Sequence, residues 1–210
     1  MKKLIKYILI LLVIALVGYK SVYFKKLSEV NKATPETFDA VAFSKKLWDE
    51  QLPKRLDSAV VFDTLLKAFT VNPENAFAQY SNAIGIGNYG YCLLKVVGLV
   101  SEINEDDIIL QVEFSNDNVD SWTLATEYVY GNAIRDASGL LDIKDFSNTN
   151  DLNIVSGELN KMVRTTVLPA FKKQVKKGNL IEVTGAVEFN KKHFNLSQLE
   201  IIPVRLKILQ

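Results

Sequence analysis

From Tyr89 onward the hydrophobic pattern changes period in a fixed order: strand, strand, strand, helix, strand, strand. Tyr89 to Ile103 is a long run rich in Val, Leu and Tyr, interrupted by Gly98. After the turn Asn104–Asp107, the residues Ile108, Leu110, Val112 and Phe114 alternate with Ile109, Gln111 and Glu113, the period of two that buries one face of a strand. Ser115–Asp120 reads as a polar loop and Trp122–Tyr130 as a third strand, followed by an irregular stretch to Asn150. Leu152, Val155, Leu159, Val163 and Val167 then recur at helical spacing. Pro169 removes one helix hydrogen bond and is expected to kink or split this helix, which resumes to Lys177 and is capped by Gly178. Leu180–Phe189 alternates again, and Leu196–Leu209 forms the last strand after the polar tip Asn190–His193.

That order, with the helix between the third and fourth strands, is the order of an OB-type barrel. Gly98 suits the bulge or sharp coil that a small barrel needs in its first strand, and Pro203 suits an edge or seam position in the last. The expected fold class is α+β, an OB-like antiparallel β-barrel preceded by short helices and an N-terminal transmembrane helix. An open antiparallel sheet covered by helices on one face is the second architecture.

Residues 38–88 supply the short helices. Phe43, Leu47 and Trp48 lie at helical spacing up to Gln51, where Pro53 is expected to stop the helix. Asp57 reads as the N-cap of a second amphipathic pattern, Val60, Val61, Leu65, Leu66 and Phe69. Asn72-Pro73 is a break before one or two further turns. Their aromatic residues, Trp48, Phe62 and Phe69, read as core.

The amino terminus sets the expected compartment. Tyr7–Tyr19 is 13 residues without a charge, preceded by Met1-Lys2-Lys3, the layout of a secretory basic region and apolar region. Thirteen helical residues rise about 20 Å, short of a hydrocarbon core of about 30 Å. Leu4–Phe24 reaches about 31 Å if Lys6 and Lys20 snorkel toward the headgroups. Val17–Ser21 is a poor signal-peptidase site, and the single cysteine, Cys92, is too distant for lipid attachment. An uncleaved anchor follows, with residues 1–26 as anchor or uncleaved signal, 27–37 as linker, 38–88 as helical preface and 89–210 as the OB-like domain. With lysines at both ends of the run, the short tail before it stays inside and residues 27–210 are placed outside the cytoplasm.

The net charge of +1 averages two unlike parts. Residues 1–26 hold six lysines and no acid, so of 25 basic residues 19 remain beside 24 acidic ones, a net of −5. An acidic exported portion repels phosphates, so no nucleic acid is expected as partner, although Tyr89, Tyr91, Trp122, Tyr128 and Tyr130 supply aromatic rings. Lys172, Lys173, Lys176 and Lys177 read as a solvated face near a helix end. One histidine, His193 in a polar tip, forbids a multi-histidine metal site, and Cys92 reads as a small buried side chain. Asn82–Asn88 contains Gly-x-Gly without a third glycine or a following helix, so it is not a phosphate cradle. No metal, cofactor or catalytic set is expected.

The most distinctive stretch is Gly131-Asn-Ala-Ile-Arg-Asp-Ala-Ser-Gly139, followed by Leu140–Asn148. Arg135, one of four arginines, adjoins Asp136 between glycines that permit tight turns. A guanidinium fork takes carboxylates, sugar hydroxyls or phosphate, and Asp136 orients it or accepts from a hydroxyl. Asn132, Arg135, Asp136 and Asn148 are therefore the candidate ligand-binding residues. The alternative is an internal Arg–carboxylate and Asn–backbone network pinning the segment to the sheet.

Gly131–Gly139 with Phe146-Ser-Asn148 resembles the Gly-Thr-Ala-x-Arg-Asp-x-x-Gly signature and Phe-x-Asn of the predicted periplasmic lipoproteins grouped as domain of unknown function 2291. Glu158-Leu-Asn160 with Val163 and Val167-Leu168 is similar to that family's following helix, and Trp48–Pro53 to its early helix. The chain departs from the family in lacking a lipobox cysteine and in having Asn132 where threonine is usual. The resemblance implies an accessory role beside an ABC-type sugar uptake system. The expectation is a non-enzymatic, membrane-anchored extracytoplasmic accessory or binding protein. It would be single-pass in the inner membrane through residues 4–24, with a sugar ABC transporter or its binding protein as partner. The competing class is a hydrolase using carboxylates such as Asp136 and Asp142.

Overall fold

The structure, a computed structural model, describes residues 2–21, 38–85, 87–114 and 118–210. The linker expected at 27–37, the end of the anchor at 22–26 and residues 115–117 of the polar loop lie outside the described residues. Two compact units are present, residues 1–38 and 39–210. The first contains helix α1 (Lys2–Ser21). Among the described residues no helix is long and apolar enough to cross a membrane. Within α1 the uncharged residues run from Tyr7 to Tyr19, between Lys6 and Lys20.

In the second unit α2 (Ala40–Lys46), capped by the Asp39 carboxylate on the Ala42 N–H, passes through a π-helical turn at Leu47–Gln51 into α3 (Leu52–Asp57). Pro53 therefore does not stop the helix. The wide turn lets the Leu52 N–H reach the Leu47 carbonyl, and Pro53 falls in the first turn of α3, where a missing N–H costs nothing. The same device recurs at α7 (Thr149–Met162), which continues through a π turn at Val163–Val167 into α8 (Leu168–Lys172) around Pro169. Both prolines follow a leucine that closes the π turn. The helix ends at Lys172 rather than Lys177, with Gly178 at φ +89° beyond it.

Asp57 is not an N-cap. It ends α3 and pairs with Arg205 at 2.7 Å, and a two-residue strand β1 (Val60–Val61) precedes α4 (Phe62–Val71). Asn72 caps α5 (Pro73–Tyr80) by accepting from the Asn75 N–H.

The remaining strands are β2 (Tyr89–Ile103), β3 (Asp107–Glu113), β4 (Val119–Ala125), β5 (Leu180–Asn190) and β6 (Glu200–Ile208). They form a six-stranded sheet in the order β1-β2-β3-β4-β6-β5, and a β2–β5 pairing closes β2 to β6 into a circuit. Not all pairs are antiparallel: β4–β6 and β1–β2 run parallel. The register irregularity in β2 falls between Val100 and Glu102, not at Gly98. At Gly98 a Cβ would lie 3.2 Å from the Gln111 carbonyl oxygen, so the glycine serves close strand approach. Strand β4 ends at Ala125 rather than Tyr130 because the N–H groups of Thr126 and Glu127 both donate to Asp106 O, turning the chain out of the sheet. Strand β6 starts at Glu200, after a turn at 197–198, not at Leu196. Pro203 lies opposite Gly185 beside a register shift, beyond the last β4 pairing at Ile201, where no ladder donor is needed.

Alternation along β2 divides the core. Cys92, Leu94, Val96 and Val100 join Phe62, Phe69, Trp122, Val183 and Phe189 in one cluster. Leu93 joins Leu47, Leu52, Ile134, Val155, Leu159 and Val163 in a second, between the sheet and the helices. The stretch read as irregular contains α6 (Ala133–Ser138), a six-residue helix that belongs to this second cluster.

Candidate functional site

The glycines Gly131 and Gly139, at φ +77° and +59°, bracket α6 and let the chain enter and leave one short helix abruptly. Its polar groups are all tied inward. Arg135 and Asp136, both about 5% exposed in their side chains, pair through Nε and Oδ1 at 2.6 Å. Arg135 Nη1 also donates to Ser156 Oγ on α7 at 3.1 Å. The free carbonyls at the end of α6 find donors: Ser138 Oγ reaches Arg135 O at 2.7 Å, Asn82 Nδ2 reaches Ala137 O at 3.3 Å, and Arg55 Nε reaches Ser138 O at 2.7 Å. Asn160 Nδ2 donates to Gly131 O at 2.8 Å. Capping of this kind replaces the orphan groups of a helix end with side-chain partners from three other segments.

Above this network a cleft of about 400 Å³ opens where β2, β5, the start of β6 and the Tyr130–Ala133 segment meet. Tyr91 and Glu188 face each other across the β2–β5 ladder, with Tyr130, Asn132, Gln198 and Glu200 around them. The half-buried Tyr91 phenol is held well above its ordinary pKa, first by burial and then by its hydrogen bond and proximity to Glu188, with Asp136 adding and Arg135 opposing. Arg164 donates to the Val129 carbonyl and lies over the Tyr130 ring, 4.8 Å from its centroid, which fixes that ring at the rim. Gln198 is the sole non-glycine at positive φ (+59°) among the described residues, and it stands at the same rim.

The structure thus brings together Asn132, Arg135 and Asp136, the first exposed at the cleft and the other two buried below it. Asn148 does not line the cleft. It caps α7, accepting from the Asp151 N–H at 2.9 Å. Asp142 is exposed and caps a 3-10 turn at Ile143–Asp145, so it shares no cavity with Asp136. Glu188, Gln198 and Glu200 are cleft residues that sequence reading missed. Glu188 carried only the signal of an outward position in an alternating strand, and a glutamine at positive φ leaves no sequence signal. Cys92 is buried, and burial pushes its thiol up to about 12. Among the described residues no three His, Cys, Asp or Glu side chains group as a metal site. A larger groove of about 570 Å³ lies against Val61, Phe62 and Val97–Leu99. Asp63, Lys95, Gln111, Glu113 and Glu182 also line that groove, whereas the smaller cleft sets two phenols, two amides and two carboxylates beside the Arg135–Asp136 network.

A short helical layer over a closed five-strand circuit, with its helix between the third and fourth circuit strands, defines an OB-type protein whose cleft lies beside the helical layer. Consistent with this, the chain is similar to an OB-fold protein from Thermotoga maritima solved by crystallography. The two share 27% identity and a TM-score of 0.71 over 82% of this chain and 99% of that one. No curated protein matches the chain. The chain belongs to the family described as predicted periplasmic lipoprotein, domain of unknown function 2291, whose pattern matches residues 12–207.

Proposed function

We propose that this protein is an extracytoplasmic binding module, held at the outer face of the inner membrane through α1, that serves as an accessory to a sugar uptake system. The observation that carries the reading is the cleft, where two phenols, two amides and two carboxylates converge on a floor braced by a buried ion pair. Such a mixture of ring faces and hydrogen-bonding groups suits a small polar ligand. The compartment rests on the family description and on the basic start followed by an apolar run. Membrane attachment rests on α1, whose residues 10–19 are all exposed, apolar side chains predominating on every side of the helix. A helix of that kind gains about 25 cal/mol for each Å² of apolar surface taken out of water. The single-pass form, with residues 4–24 in the bilayer, requires Lys6 and Lys20 to snorkel.

A hydrolase needs carboxylates converging on an open cleft. Asp136 is committed to Arg135 and Asp142 to its turn, so neither of these two carboxylates supports the hydrolase reading.

Alkaline extraction of membranes tests the attachment: the full chain is expected in the pellet and a chain starting at residue 39 in the supernatant. Recovery of both in the supernatant would overturn it. Deleting the gene tests the transport role. Unchanged growth and uptake on every pentose and hexose tried would sink that part.

A further inference from the structure

We infer that the Tyr91–Glu188–Tyr130 cleft selects small ligands carrying a positively charged amine, an inference that rests on the binding-module reading and names its ligand class. The first ground is charge. Glu188 and Glu200 line the cleft, and among the described residues no Lys, Arg or His lines it. Glu188 stands opposite the Tyr91 phenol, a neutral group, across the β2–β5 ladder, and neither Glu188 nor Glu200 has an ion-pair partner among the described residues. Of the two nearby arginines, one is paired with an acid and the other is not. Arg135 is buried and neutralised by Asp136, and Arg164 is bound to the Val129 carbonyl against the Tyr130 ring. An entering ligand therefore meets two carboxylates among the lining residues, while Arg164, which keeps its charge, stands against the Tyr130 ring outside that lining.

The second ground is the state of the phenol. Burial, Glu188 and Asp136 all disfavour the phenolate, so Tyr91 stays a hydrogen-bond donor and leaves the ligand's positive charge to the two glutamates. The third is shape. A volume of about 400 Å³ accommodates a ligand of monosaccharide size. The exposed Tyr130 ring offers a face, while Asn132 and Gln198 offer amides to hydroxyl groups at the rim. Carboxylates with aromatic rings favour an ammonium over an anion, and the acidic exported portion concentrates cations near the opening.

Calorimetric titration of the detergent-solubilised full chain with glucosamine, glucose and N-acetylglucosamine in slightly acidic buffer separates the charge from the hydroxylated body. Glucosamine is expected to bind at least about 10-fold tighter than the other two, with affinity that falls as salt is added. Glu188→Gln and Glu200→Gln, both at exposed positions, should each weaken glucosamine about 5-fold or more and leave the melting temperature unchanged. Equal affinity for glucose and glucosamine would overturn the charge selection yet keep the cleft as a binding site. Heat unaffected by both glutamate substitutions, or no heat with any of the three sugars, would overturn the inference itself. The attachment and uptake experiments above report separately on the binding-module reading.

Discussion

The two cores of residues 39–210 are built on different physics. Inside the strand circuit the contacts are apolar and aromatic: Phe62 meets Trp122 edge-on at 4.8 Å, and Phe69 stacks on Phe194 at 3.6 Å. Between the sheet and the helices the apolar side chains surround a charged pair, with Arg135, Asp136, Ser138, Ser156 and Asn160 all buried. The first core needs only volume and shape. The second fixes one geometry, because Arg135, Ser138, Ser156 and Asn160 each donate to a specified acceptor, and it is this second core that floors the cleft. Positioning was placed where polar specificity is, and bulk stability where it is not.

Removing one member of the buried pair should break this contrast most sharply. Arg135→Met leaves the Asp136 carboxylate buried without its cation and is expected to cost about 3–5 kcal/mol in chemical denaturation. Combining it with Asp136→Leu should recover most of that loss, since neither charge then remains. In the other core Leu94→Ala should cost about 3 kcal/mol, and no second substitution of a polar partner will rescue it. Equal rescue in both cores, or none in either, would erase the distinction drawn between them.

The same contrast explains what could be read from the sequence. The five long strands and the helix between the third and fourth of them were legible because burial on one face imposes alternation, as with Ile108, Leu110 and Val112. Adjacency of Arg135 and Asp136 with flanking glycines marked the pinned segment. The helix α6 was hidden because six residues are too few to display a period. Pro53 misled because the π turn at Leu47–Gln51 places it in the first turn of α3, and a proline alone signals only an interruption. The cleft was half visible. Tyr91, Tyr130 and Asn132 drew notice, whereas Glu188 and Glu200 became neighbours only through the β5–β6 register and the turn preceding β6.

Neighbouring residues on β2 let alkaline pH address the two cores separately. Cys92 faces the strand interior and Tyr91 packs against the helical side. Both groups have folded-state pKa values raised above their unfolded ones, so their stabilising contribution is complete at neutral pH and is lost as pH rises. The thiol's share should disappear from its ordinary value of 9.0 up to about 12, and the phenol's share from 10.0 upward. Stability measured by urea denaturation across that range should decline. Cys92→Ala should flatten the earlier part of the decline and Tyr91→Phe the later part. A decline identical in all three proteins would mean that neither group reports on its core.

The smallest effect expected is at Asn148, and its value lies in being local. Its side chain both accepts from the Asp151 N–H and donates to the Asp151 carboxylate, at 2.9 and 2.8 Å, at the exposed start of α7. Asn148→Ala should lower stability by about 1 kcal/mol, the usual cost of a lost N-cap. Asn148→Asp keeps the acceptor but sets its charge against Asp151, so helix-dipole attraction and carboxylate repulsion oppose each other and the change should be smaller than for alanine. Neither substitution should alter glucosamine affinity, because Asn148 does not line the cleft. Paired denaturation and calorimetry on the same variants check this. Should Asn148→Ala weaken binding about as much as Glu188→Gln, the family's Phe-x-Asn segment would have to join the site, and the separation between a capping asparagine and a cleft asparagine, Asn132, would fail.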